Sequence, residues 1–143
     1  MYLLDTNVVS ELRKAKSGKA DKNVVAWASA VDVAGLFLSV ITVLELETGV
    51  LLVERRDAAQ GVLLRAWVEG HVFPAFSQRI LPIDTAVARA CARLQVPDPR
   101  SDRDALIGAT ARVHGMTVVT RNVVHFESMG IPVFDPWVAE PGA

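Results

Sequence analysis

Cysteine, long apolar runs and an excess of one charge are all scarce in this chain of 143 residues. Its single cysteine, Cys91, excludes an internal disulfide and a cysteine-rich zinc site. The longest apolar stretch, residues 36–44, is too short to cross a bilayer. No basic segment precedes an apolar run at the N-terminus, so no signal peptide is expected. These absences predict a soluble, cytoplasmic protein that has no membrane partner.

The net charge of -1 limits how the chain can meet nucleic acid. A protein that binds nucleic acid through a broad electrostatic surface carries a basic excess, which this chain does not have. Binding would depend on local basic patches, or on metal ions that bridge acidic groups to phosphate. One basic stretch, around a Ser-Gly turn, holds Arg13, Lys14, Lys16, Lys19 and Lys22. Two interpretations stay open, a solvated loop between helices and a nucleic-acid patch.

Several familiar catalytic signatures are also missing. The chain has no Gly-rich phosphate loop and no Gly-x-Ser-x-Gly elbow. His71 and His114 have no sequence neighbour at zinc spacing, so we interpret both as structural or surface residues. Hydrolysis through a serine nucleophile and zinc chemistry are therefore not predicted.

What the chain does have is the alternation of short apolar runs with helical patterns. With 51% hydrophobic residues and no linker-like segment, it predicts one α/β domain over residues 1–143 with a mostly parallel sheet. The predicted strands are residues 2–4, 36–39, 80–83, 117–120 and 132–134. The predicted helices are residues 8–14, 23–32, 43–56, 59–76, 85–94 and 102–114. The third and fourth helices predict a hairpin standing off the sheet, with Pro74 kinking or ending its second arm.

Acidic residues recur where predicted strands and helices meet. Asp5 directly follows the first strand, Glu45 falls in the predicted first turn of the helix after the second, and Asp104 opens the helix before the fourth. The strand-to-helix junctions of a parallel sheet lie at one edge, so these three carboxylates are expected to converge. A cluster of this kind needs a hard divalent ion such as Mg²⁺ or Mn²⁺, which suits phosphodiester hydrolysis.

Helix capping is the competing interpretation of the same acids. Asp5 has the position of an N-cap. Thr42-x-x-Glu45 and Ser101-x-x-Asp104 have the spacing of capping boxes, the second with Asp in place of Glu or Gln. Capping explains each acid singly, whereas a shared site explains why three junctions carry one.

Four motifs occur in order along the chain and together carry a family resemblance. They are Leu4-Asp5-Thr6-Asn7, Ser39-x-x-Thr42-x-x-Glu45-Leu46 with Gly49, Asp104-Ala105-Leu106-Ile107, and Val119-Thr120-Arg121-Asn122-x-x-His125-Phe126. This set resembles the PIN-domain family, in particular the VapC/FitB-type toxins of bacterial toxin–antitoxin pairs. The resemblance implies a three-layer α/β/α fold with a central, mostly parallel sheet and a protruding helical hairpin.

The resemblance also implies an activity and partners. It implies a Mg²⁺- or Mn²⁺-dependent endoribonuclease toxin, inhibited by a small cognate antitoxin, that forms a homodimer. Operator DNA would be contacted only indirectly, through the antitoxin. Asp5, Glu45 and Asp104 match three metal-site acids of the family. The family's fourth acidic position falls where this chain has Asn122 and His125, which leaves open whether one or two ions bind.

The remaining candidate residues lie beside the acids. Asn122 is a candidate catalytic residue, and the candidates for substrate binding are Thr6, Asn7, Thr120 and Arg121. Arg121 is open to two roles, meeting a scissile phosphate or pairing with an acid. Two other functions stand as alternatives, a PIN-like RNA- or protein-binding module without catalysis and a receiver-type signalling domain. The receiver fold needs a late strand that closes with Lys, whereas this one closes with Thr120-Arg121.

Overall fold

A five-stranded sheet forms the centre of the molecule in a computed structural model that describes residues 1–138. Its strands lie in the order β3-β2-β1-β4-β5, and every pairing between them is parallel. The central strand β1 pairs with β2 on one side and β4 on the other. The strands are β1 (Tyr2–Leu4), β2 (Leu36–Ser39), β3 (Ile80–Leu81), β4 (Thr117–Val119) and β5 (Val133–Phe134). The predicted parallel α/β fold is confirmed.

Eight α-helices connect and flank these strands in the part of the chain described. They are α1 (Thr6–Leu12), α2 (Lys22–Ala30), α3 (Val40–Arg56), α4 (Ala58–Trp67), α5 (Phe73–Ala75), α6 (Thr85–Leu94), α7 (Asp102–His114) and α8 (Val123–Glu127). A π-helical turn, Val68–Val72, separates α4 from α5. Across residues 1–138, no helix is long and apolar enough to cross a membrane.

Successive residues of each strand face opposite sides of the sheet and so build two cores. On one side, Leu3 and Val118 pack with buried residues of α6, α7 and α8. On the other, Leu4 and Val119 pack with buried residues of α1, α3 and the π-helical turn. The molecule therefore has three layers, α/β/α, as predicted.

The predicted helical hairpin is formed by α3 and α4, which pack against each other. Asp57 alone joins them: it ends α3 and caps α4 through its carboxylate, which accepts a hydrogen bond from Gln60 N. The second arm is helical to Ala75, close to the predicted end at residue 76, but the π-helical turn interrupts it after Trp67. Pro74 has no N–H group to donate to the carbonyl four residues earlier. The missing hydrogen bond favours the wider π-helical turn just before Pro74 and the end of α5 at Ala75.

The first turn of α3 corrects one prediction about Glu45. This helix begins at Val40, three residues earlier than predicted, because Ser39 caps it by accepting a hydrogen bond from Ile41 N at 3.0 Å. The capping box from Thr42 to Glu45 is therefore wrong, and Glu45 lies in the second turn rather than the first. An apolar run that passes from strand into helix gives no break in hydrophobicity to mark the boundary.

The cap of α7, the start of α1 and one extra helix also differ from the prediction. Ser101 is the N-cap of α7, but its side chain makes no capping hydrogen bond, so the second capping box is wrong too. Helix α1 begins at Thr6 rather than at residue 8, directly behind Asp5. Helix α8, which contains His125, was not predicted because five residues are too few to show a helical period.

Candidate active site

The site lies where the chain leaves β1 and β4 on opposite faces of the sheet. Helix α1 follows β1 on one face, and α8 follows β4 on the other. Ligands of open parallel sheets bind in the crevice outside such a pair of strand ends. Leu4 is in register with Val119, and Asp5 N donates to Val119 O at 2.9 Å. Asp5 and Thr120 therefore stand side by side at the mouth of this crevice.

Both oxygens of the Asp5 carboxylate are held by hydrogen bonds. Oδ1 accepts from Thr6 N at 2.8 Å, and Oδ2 accepts from the Thr120 hydroxyl at 2.8 Å. Asn7 Nδ2 lies between them, 3.4 Å from Asp5 Oδ2 and 3.3 Å from Thr120 Oγ1. The capping and site interpretations of Asp5 are thus compatible, because one oxygen caps α1 and the other joins it to the end of β4.

The surroundings of Asp5 disfavour its negative charge. The residue is only 6% exposed, and burial is the main cause that raises the pKa of its carboxyl. The hydrogen bonds from Thr120 and Thr6 oppose this rise. The negative charges of Glu45 and Asp104 raise the pKa of Asp5 further, so the three acids form one electrostatic unit.

Glu45 and Asp104 each have a basic neighbour as well. Glu45 Oε1 accepts from the Thr6 hydroxyl at 2.8 Å, and Glu45 Oε2 lies 3.7 Å from Arg103 Nη1. Asp104 Oδ2 lies 3.1 Å from His125 Nδ1. The Glu45 and Asp104 side chains are 28% and 26% exposed. Thr6 therefore links Glu45 of α3 to Asp5, whereas Asp104 acts on Asp5 through its charge.

Two of the predicted site residues, Asn122 and Arg121, make hydrogen bonds at the site through their backbone N–H groups. Asn122 N donates to the Thr120 hydroxyl at 3.0 Å, while the residue is otherwise exposed. Arg121 N donates to Asn7 Oδ1 at 3.3 Å. The guanidinium of Arg121 lies 5.2 Å from the ring centroid of Trp137. Arg121 thus stacks on an aromatic ring, which neither of its two predicted roles included.

The donor set has the chemistry that a hard divalent cation prefers. The charges of Glu45 and Asp104 both act on Asp5, hydroxyl and amide groups lie beside that carboxylate, and a cation relieves repulsion of this kind. Within residues 1–138, however, no three Asp, Glu, His or Cys side chains already stand close enough together to hold an ion.

Sequence reasoning missed three residues that contribute to this edge. The Thr42 hydroxyl is buried 3.1 Å from Thr6 Oγ1, and its spacing to Glu45 suggested a cap instead. Arg103 precedes Asp104 and is signalled only by that adjacency. Trp137 follows β5, and no local pattern connects it with Arg121.

Comparison with known proteins agrees with this geometry. The PIN domain profile matches residues 2–130 of the chain. VapC ribonuclease Y4jK of Sinorhizobium fredii is 39% identical over 145 residues, which cover 96% of this chain and 98% of that protein. Toxin FitB of Neisseria gonorrhoeae is 35% identical over 142 residues, covering 96% of this chain and 99% of that protein.

A solved structure shows the same fold over the whole length. The structure of FitAB bound to an IR36 DNA fragment contains a chain that superposes with a TM-score of 0.88 at 34% identity, covering 100% of both chains. The fold, the position of Asp5 at the end of β1 and the sequence identity lead to one conclusion. The chain belongs to the PIN-domain family, among its VapC ribonuclease and FitB toxin homologues.

Proposed function

We propose that this protein is an endoribonuclease that depends on Mg²⁺ or Mn²⁺ and hydrolyses RNA phosphodiester bonds as the toxin of a toxin–antitoxin pair. The observation that carries the proposal is the buried Asp5 carboxylate, whose pKa is raised by burial and further by the charges of Glu45 and Asp104. Burying an acid near two others lowers the stability of the fold. Groups with strongly perturbed pKa values concentrate at functional sites. The names of the VapC and FitB relatives support the same activity.

Asp5, Glu45 and Asp104 are the residues proposed to hold the ion. When bound there, a divalent cation supplies Lewis-acid chemistry that polarises a phosphoryl oxygen and acidifies water. Thr120 and the Thr6 N–H fix the direction of the Asp5 oxygens, and the Thr6 hydroxyl positions Glu45. Asn7, which contacts both Asp5 and Thr120, is proposed to orient substrate or water. The exposed amide of Asn122 is proposed to act at the family's fourth acidic position.

Cleavage of a mixed RNA pool tests the activity. The protein is expected to cut RNA with Mn²⁺ or Mg²⁺ and to stop when EDTA is added. Asp5→Asn should lower the rate at least 100-fold, because it removes charge from the centre of the acidic unit. Asp98→Asn, an exposed acid in the loop before α7, is the matched control and should cleave at the wild-type rate. Cleavage that survives EDTA, or the Asp5 substitution, would contradict the proposal.

Ion binding is measurable without turnover. Mn²⁺ is expected to raise the melting temperature of the wild-type protein, since ligands that bind the folded state stabilise it by mass action. The same addition should leave the melting temperature of Asp5→Asn nearly unchanged. An equal rise in both proteins would place the bound ion elsewhere.

A small antitoxin and a second copy of this chain are the proposed protein partners, with operator DNA reached through the antitoxin. The relative solved as FitAB on a DNA fragment supports an assembly of this kind. Exposed apolar side chains on the hairpin support a protein partner as well, namely Leu44, Leu51, Leu52, Val62 and Leu63.

A PIN-like binding module without catalysis is the alternative function. It is favoured by the separation of the three acids and by Asn122 and His125 at the fourth acidic position. RNA binding without cleavage in either metal would establish this alternative.

A further inference from the structure

The lysines of this protein are confined to one short segment. All four lie between residues 14 and 22, with Arg13 beside them and Asp21 as the one acid. Residues 13–22 therefore carry a net charge of +4, which leaves -5 on the rest of the chain. The segment joins α1 to α2, and its lysines are exposed. A concentrated positive field on an acidic molecule attracts a polyanion to one place.

Glu11 fastens both ends of this segment. Its Oε1 lies 2.9 Å from Lys14 Nζ, and its Oε2 accepts from Asp21 N at 2.9 Å. The pKa of Glu11 is lowered first by the contact with Lys14, then by the Asp21 N–H, and also by the charges of Lys14 and Arg121. Arg121 thus lies close enough to lower the pKa of Glu11, the same carboxylate that binds the lysine segment.

Arg121 connects the segment to the acidic site. Its backbone N–H binds Asn7 Oδ1, and Asn7 in turn contacts Asp5. Its guanidinium stacks over Trp137, whose carbonyl accepts from Asn23 Nδ2 at 2.8 Å. Asn23 follows the last lysine of the segment, in the first turn of α2. A continuous series of contacts therefore runs from the Asp5 carboxylate, past Arg121, to the lysines.

We propose that Arg121 and the lysines of residues 13–22 form a basic track that binds the phosphates of RNA beside the scissile bond. The track rests on the proposed function, since it begins at the edge where the phosphodiester would be cut. RNA is favoured over an acidic protein segment because the contacts that lead to the lysines start at Asp5, beside the proposed site of phosphodiester cleavage. Trp137, whose side chain is partly exposed, offers a ring at the start of the track.

Binding of a labelled single-stranded RNA by the full chain in EDTA tests the track, with fluorescence anisotropy at several salt concentrations. The variant Lys16→Gln/Lys19→Gln/Lys22→Gln removes three exposed charges without touching the contacts of Lys14. Arg55→Gln/Arg56→Gln/Arg89→Gln removes three exposed charges elsewhere and is the matched control. Melting temperatures by circular dichroism check that both variants fold.

The lysine variant is expected to bind RNA at least tenfold more weakly at low salt. Its plot of log K against log salt should flatten by about 2, since each phosphate contact on a single strand contributes about 0.7 to the slope. Arg121→Gln should flatten it by about 0.7. The control should stay within twofold of wild type.

Three results would overturn the track: equal weakening by both triple variants, no weakening by the lysine variant, or displacement of the RNA by polyglutamate as readily as by unlabelled RNA. The last result would identify a surface for an acidic protein. Cleavage with Mn²⁺ is scored on separate samples. A chain that binds RNA through the lysines but never cuts it would contradict the nuclease proposal and leave the track standing.

Discussion

At the scale of single residues, the Asp5 carboxylate accepts one local and one long-range hydrogen bond. Its Oδ1 satisfies the N–H of Thr6, which any N-cap carboxylate can do. Its Oδ2 accepts from Thr120, 115 positions further along the chain, at 2.8 Å. The fold therefore holds a buried carboxylate with two firm hydrogen bonds while two other acids repel it. The two hydrogen bonds fix the orientation of the carboxylate, while burial and the other two acids disfavour its charged form.

The raised pKa of Asp5 predicts how stability depends on pH. The pKa of Asp5 is higher in the folded protein than in the unfolded chain. At pH values between these two pKa values, the folded protein therefore binds the Asp5 proton more tightly than the unfolded chain does. The contribution of Asp5 to stability is therefore complete below the unfolded pKa and declines as pH rises through the folded pKa. In metal-free buffer, Asp5→Asn should melt a few degrees above wild type at pH 7.5, and the two should converge near pH 4.

Thermal melting from pH 4 to 8 in EDTA measures this difference. Asp98→Asn should track the wild-type curve at every pH because that side chain is exposed. A lower melting temperature for Asp5→Asn at pH 7.5 would mean that its hydrogen bonds outweigh the cost of its buried charge.

At the scale of elements, the hairpin depends on one close approach between α3 and α4. A Cβ on Gly61 would lie 2.6 Å from the Cα of Glu54, so the helix backbones meet where Gly61 has no side chain. Ionic contacts support the same pairing, since Arg65 Nη1 lies 2.7 Å from Glu47 Oε1 and Arg65 Nη2 lies 3.3 Å from Glu54 Oε1. Gly49, by contrast, has nothing within 4 Å of a built Cβ.

Alanine at these two glycines should have opposite effects. Gly61→Ala is expected to lower the free energy of unfolding by about 1–3 kcal/mol, because the backbone of α3 cannot yield without separating the helices. Gly49→Ala should raise the free energy of unfolding by up to about 1 kcal/mol, since alanine favours the helix and meets open space. Urea denaturation measures both. Equal effects of the two substitutions would contradict the close approach at Gly61.

At the scale of the whole molecule, charge and apolar surface are unevenly distributed. The lysines gather in residues 13–22, and the hairpin carries apolar side chains such as Leu52 and Val62, which are 61% and 67% exposed. Exposed apolar groups that cluster on one element usually find a protein partner. The proposed homodimer is therefore expected to involve the hairpin.

Sedimentation equilibrium at several concentrations tests the homodimer. The wild-type chain is expected to sediment as a dimer, and Leu52→Ser/Val62→Ser should shift the population toward monomer by at least tenfold in the dissociation constant. Val124→Ser, at a still more exposed position on α8, is the control. A wild-type chain that is monomeric at every concentration would contradict the homodimer, and recovery of a small partner after co-expression would then assign the hairpin to the antitoxin.

Local sequence patterns predict much of the secondary structure of this protein. The apolar runs of β1 and β2 and the helical periods of α6 and α7 match the observed elements at both ends, because strand and helix spacing express burial directly. Of the three acids expected at strand ends, only Asp5 directly follows a strand, since Glu45 lies in the second turn of α3 and the helix that holds Asp104, α7, follows α6. The family followed from four motifs in order, and sequence identity confirms it.

Only the tertiary structure decided which side chains meet. Thr120 binds Asp5, Thr6 binds Glu45, Arg103 and His125 face the other acids, and Arg121 lies on Trp137, all through contacts between segments distant in sequence. Neither hydrophobic period nor capping rule encodes such pairings, because they depend on strand order and on the faces from which the chain leaves β1 and β4. The sequence by itself determined the fold class and the family, and the strand order β3-β2-β1-β4-β5 decided the neighbours of Asp5.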